Sequence, residues 1–181
     1  MENLEKTSKT IQLNLCSPIP SSKTTKKIET EKERSKRVIT NTDHWKFSQE
    51  DLGYQNQCKM LNDITQYPVV LQQLRNKLYG YRTQDIDKRI FEITEFIDLS
   101  GVLQKLENCK MNCFYCREPV KLLYEYVREP KQWTLDRMDN KKGHNTDNVE
   151  IACLSCNLRR KTMHHERYLF TKQMVLIKKE G

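Results

Sequence analysis

Four of the seven cysteines in this 181-residue chain form two Cys-x-x-Cys pairs, Cys113/Cys116 and Cys153/Cys156. A turn of that spacing presents two thiolates on one side. Two such turns supply the four soft ligands of a tetrahedral zinc. A four-thiolate site has no open position for substrate. Its metal is therefore structural, and it adds folding energy that a small apolar core lacks. The competing reading is a set of reduced thiols or a redox pair. Cys109, four residues before Cys113, is a spare ligand candidate, but we expect it to be free, along with Cys16 and Cys58. An odd cysteine count, with no secretory signal in MENLEKTSKTIQLNLC, argues against a disulfide framework.

A second set of chemically able residues lies in WTLDRMDNKKGHNTDNVEIACLSCNLRRKT, residues 133–162. An Asp stands at the end of an apolar run. A Gly-containing loop follows, then Asn-Val, then Cys-x-x-Cys-Asn entering a helix. This stretch resembles the HNH nucleases of the ββα-metal superfamily. More closely, it resembles the small HNH-type proteins of large double-stranded DNA viruses, with similarity extending over residues 65–175. The resemblance implies an α+β fold, with a ββα-metal motif stapled by the four-Cys zinc knuckle. It implies a metal-dependent endonuclease that hydrolyses DNA phosphodiester bonds. It also implies that Asp136 and Asn157 hold a catalytic Mg²⁺ or Mn²⁺. A hard cation takes oxygen ligands and stabilises charge on a transferring phosphoryl group. Asn157 directly follows Cys156, so zinc would fix the helix end that carries it.

One position departs from the family. The usual pattern has a His after the Asp, acting as general base; here it is Arg137. A guanidinium cannot accept that proton, though it can clamp a phosphate. His144, on the loop, is the first candidate for the base, and His164 is the second. Direct transfer to bulk water and an inactive nuclease remain as alternatives.

Elements must position these groups. Val70, Leu71, Leu74 and Leu78 predict a helix between Pro68 and Gly80. Ile86, Ile90, Ile93 and Ile97 read as one helix stripe, and Ser100 as the cap of a third helix. Val120–Val127 and Gln132–Met138 read as strands, Asp139–Asp147 as a loop, and Asn148–Ala152 as a strand. From Cys153 a helix follows. It places Asn157, Arg160, Lys161 and His164 on one face and turns Leu158 and Leu169 inward. Arg159, Arg160, Lys161 and His164, with Arg137, are the expected nucleic-acid contacts. Trp133 and Tyr126 could stack on bases, but core packing is the expectation for both.

Charge agrees with a polyanion partner. The chain carries a net +8, divided as +4 over residues 1–40, −2 over 41–100 and +6 over 101–181. The folded-looking end is thus basic. Apolar residues make up 36% and mean hydropathy is −0.83, with no run near the ~18–20 apolar residues a membrane span needs. The expectations are a basic, disordered tail at 1–45, a helical support at 46–108 and a zinc-bound nuclease domain at 109–181. We expect an intracellular protein, in host cytoplasm or nucleus if viral. Its expected partner is DNA, most simply double-stranded, without membrane or small-molecule cofactor. A zinc-stabilised nucleic-acid-binding module without cleavage is the alternative, ahead of a zinc-stapled protein-interaction domain.

Overall fold

The computed structural model describes residues 47–180, with side chains through Met174. The expected tail at 1–45, with Cys16, lies outside the described residues. The architecture is α+β. Helices α1 (Tyr54–Asn62), α2 (Pro68–Asp87) and α3 (Leu99–Asn108) precede strands β1 (Trp133–Arg137) and β2 (Val149–Cys153). Helices α4 (Leu154–Arg160) and α5 (His165–Glu180) follow. Among the described residues no helix is long and apolar enough to cross a membrane.

β1 and β2 pair antiparallel, with Trp133 opposite Cys153 and Asp136 opposite Glu150. Trp133 and Leu135 enter the core, as do Val149 and Ile151 from β2. Trp133 is thus a packing residue. α4 packs on both strands. The loop between the strands is pinned by the buried Asn148. Its Nδ2 donates to the carbonyls of Asp139 and Gly143, while its Oδ1 accepts from Asp139 N. The Asn of the Asn-Val pair therefore holds a loop shape.

Several expected elements differ, each for a local reason. α2 runs through Gly80 to Asp87, because Gly80 is exposed and the helix is held by buried Leu74 and Asp85 on either side. The Ile86–Ile97 stripe is not a helix. The chain turns at Arg89, whose φ is 57, and residues 90–98 leave the helical path. There Ile97 N donates to His144 O and Thr146 N to Glu95 O, so this segment lies along the β1–β2 loop. Ile93 is 77% exposed, whereas Ile97 is buried. Asp98, not Ser100, caps α3, its carboxylate accepting from Gly101 N at 2.7 Å.

Val120–Val127 forms no strand. Val120, Leu122, Leu123 and Tyr124 are all buried, so the segment does not alternate. The amides of Leu122 and Leu123 both donate to Oε1 of Gln57 on α1, at 2.7 and 2.9 Å. A buried glutamine side chain replaces a neighbouring strand. The last helix is also broken. α4 ends at Arg160, and Lys161 adopts φ 52 and ψ −114 before α5 begins. Asn157, Arg160, Lys161 and His164 therefore do not share one helix face. Leu158 is 59% exposed rather than inward, while Leu169 packs partly against the core.

Candidate functional site

The four cysteines of the two pairs come together. All their Sγ atoms lie within 4.8 Å of one another, and Cys116 Sγ to Cys153 Sγ is 3.9 Å. A tetrahedron of sulfurs at ~2.3 Å from zinc has edges of about 3.8 Å. The donor set therefore fits that ion, and all four are free thiols. The backbone prepares the cluster. Cys113 N donates to Glu118 O and Arg117 N to Cys113 O, with Arg117 at φ 58. Cys153 is the N-cap of α4, its sulfur accepting from Cys156 N at 3.4 Å. The sulfurs share protons unequally. Thiol hydrogen bonds from Cys116, Cys153 and Cys156 push Cys113 down. The same packing, Cys113 foremost, pushes Cys153 and Cys156 up. Once one thiolate forms, its neighbours resist ionising, and a divalent cation is what lets all four do so. Cys109 stays outside the cluster and donates to Leu106 O.

Tyr115, inside the first turn, connects the cluster to β1. Its hydroxyl donates to Asp136 Oδ2 at 2.6 Å. Arg160, from α4, takes the same carboxylate with Nε on Oδ2 at 2.6 Å and Nη2 on Oδ1 at 2.7 Å. Asp136 and Arg160 are 2% and 3% exposed. Arg160 also donates to Arg137 O, Asn140 Oδ1 and Met163 O. Its guanidinium is thus committed inward, unlike the phosphate-facing cation read from helix spacing. A divalent cation on Asp136 would sit beside that guanidinium, so the arrangement does not fit the hard-cation site that the resemblance implies. Asn157 donates through Nδ2 to Thr134 Oγ1 at 3.1 Å, which leaves Oδ1 for the cleft it lines.

That cleft has a volume of about 390 Å³. His144, Arg137, Lys88, Lys161, Asn140 and Asn157 all line it. His144 is 2% exposed and held on several sides. Its Nδ1 lies 2.8 Å from Asp85 Oδ1, its backbone N donates to Asp85 Oδ2 at 2.6 Å, and its ring packs on Tyr81. A buried carboxylate on Nδ1 fixes the proton there and leaves Nε2 as the acceptor. Burial pushes the His144 pKa down, Asp85 opposes this, and Arg137 and Lys88 add to the lowering. The net shift favours the neutral ring. Gly143 permits this approach, since a Cβ there would stand 2.6 Å from Ile90 O and 3.0 Å from Asp85 Oδ2.

Arg137 Nη1 lies 3.8 Å from Asp85 Oδ1 and donates to Lys142 O. Arg137 thus borders the Asp85–His144 pair as well as the cleft. Arg159 and Lys161 are exposed. His164, with its side chain 65% exposed, lies beyond the helix break, 3.8 Å from Glu166. Asp85 is the site residue that motif reading missed. One signal was available: Asp85 and Asp87 stand in the last turn of α2, where a carboxylate opposes the helix dipole. No protein-family model, curated protein or solved structure matches this chain.

Proposed function

We infer that this chain is an HNH-type endonuclease hydrolysing DNA phosphodiester bonds. The observation that carries the reading is the Asp85–His144 pair at the wall of a cleft bordered by cations. A water attacking a phosphate in the cleft gives its proton to Nε2 of His144, while the P–O bond to the leaving sugar oxygen breaks and that oxygen takes a proton from solvent. Asp85 stabilises the imidazolium that forms, and Arg137 partly balances Asp85 beforehand. Exposed Lys88 and Lys161 bind the phosphodiester charge. The zinc expected at the four thiolates supplies no chemistry of its own. It holds the start of α4, and thereby Asn157, against β1. The requirement for Mg²⁺ or Mn²⁺ comes from the resemblance alone, and no step is assigned to a cation on Asp136.

The Asp136–Arg160 pair favours one second reading, a zinc-stabilised DNA-binding module without cleavage. Nicking of supercoiled plasmid, with and without added Mg²⁺ or Mn²⁺, separates the two. We expect nicking by the wild type and a loss of ~10²-fold or more in His144→Gln at unchanged zinc content. DNA binding without nicking under any metal condition would establish the binding module. Undiminished nicking by His144→Gln would remove His144 from the chemistry.

A further inference from the structure

On the other side of the Asp136–Arg160 pair a second recess opens, about 560 Å³ in volume. It lies between the start of the β1–β2 loop and the α4–α5 turn. Met138 and Met163 give it thioethers, His164 and His165 give it imidazoles, and Lys141 stands at its edge. The two imidazole rings are 4.5 Å apart. Nδ1 of His165 is buried and has no hydrogen-bond partner among the described residues. Arg160 and Asn140 line both this recess and the cleft with His144. The two recesses are therefore neighbours.

The recess exists because the chain breaks at Lys161. An unbroken α4–α5 helix would carry Thr162 and Met163 away from the loop. Lys161 instead holds φ 52 with ψ −114, a conformation that strains a non-glycine residue. Arg160 secures the break by donating to Met163 O at 2.7 Å.

The lining selects the occupant. A phosphate seeks cations, but the guanidinium here is already committed to Asp136, and Lys141 at the edge shares the lining with the carboxylate of Asp139. Two thioethers and two imidazoles suit a flat ring with a polar edge. In paired DNA the bases are stacked and present only their edges in the grooves. A base reaches such a recess only when it is unpaired or turned out of the stack.

We propose that this recess takes an unpaired nucleobase from the strand whose phosphate lies in the cleft. The substrate is then DNA with an unpaired nucleotide beside the scissile phosphate, a conclusion that rests on the nuclease reading. The test measures binding of two labelled duplexes to the full chain by fluorescence anisotropy. They are identical except for one unpaired nucleotide, and they are compared at one salt concentration without added Mg²⁺ or Mn²⁺. The duplex with the unpaired nucleotide should bind about tenfold tighter or better. Met163→Asp should erase that difference while binding to the paired duplex stays. Should Met163→Asp not fold, Met163→Gln, which keeps the length of the side chain, reads the same recess. Equal binding of the two duplexes, or a preference that survives in a folded variant, overturns the proposal. Nicking without the preference would defeat the recess and leave the nuclease; the preference without nicking would do the reverse.

Discussion

A histidine that accepts protons at neutral pH must be both uncharged and correctly turned. Burial accomplishes the first for His144 and Asp85 the second. Because burial lowers the His144 pKa, the neutral ring persists below the usual ~6.5 of imidazole. The acid limb of the rate profile should lie below that value. Stability follows the same sign. Below pH ~6.5 the unfolded chain binds a proton that the folded chain resists, so this contribution is lost as pH falls. Asp85→Asn offers an amide that can donate to Nδ1, which moves the ring proton to Nε2 and removes the acceptor. We expect cleavage to drop by ~10²-fold or more with DNA affinity retained, and ¹⁵N spectra of the labelled imidazole to report the switched tautomer. An unchanged rate and tautomer would refute the assignment. His144 and Arg137 were legible in the sequence as departures from a pattern. Asp85 was harder to read, because its one local sign, a carboxylate in the last turn of α2, does not point to a loop 59 residues later.

Where elements could be read, they followed hydrophobic patterning. The hairpin and α4 were recognisable because apolar residues alternate around a turn-rich loop and then pass into the second cysteine pair. Val120–Tyr124 misled because its amides are satisfied by Gln57 on a distant helix. The end of α4 was hidden because Lys161 carries no glycine-like signal for positive φ. The join between β1 and α4 is the buried Asp136–Arg160 pair, and its rupture is an element-scale event. Asp136→Ala leaves a guanidinium buried without its anion, which typically costs about 3–5 kcal/mol. Urea denaturation should register that loss. Full stability with abolished nicking would instead mark Asp136 as a ligand whose arginine is dispensable.

At the scale of the molecule, the four-cysteine cluster is a keystone between segments. Cys113 and Cys116 precede the hairpin, Cys153 ends it and Cys156 follows, and Phe114 N donates to Ile151 O across the join. Purified protein should contain one zinc per chain. Chelation should melt the hairpin region, with loss of near-ultraviolet circular dichroism as Trp133 and Tyr115 leave their packed surroundings. A chain that keeps that signal without metal would show the thiols to be incidental. The chain-wide excess of positive charge predicts DNA affinity that falls with salt.

The contact between Asp85 and His144 also imposes an order in time. During synthesis Asp85 leaves the ribosome well before His144, and the dyad cannot close until α2 and the β1–β2 loop have docked. A chain interrupted before that loop has no His144, and one folded only around its cysteines has an imidazole with no fixed tautomer. On the nuclease reading, the unfinished protein is harmless to nearby nucleic acid, and competence to cut arrives only with the completed fold.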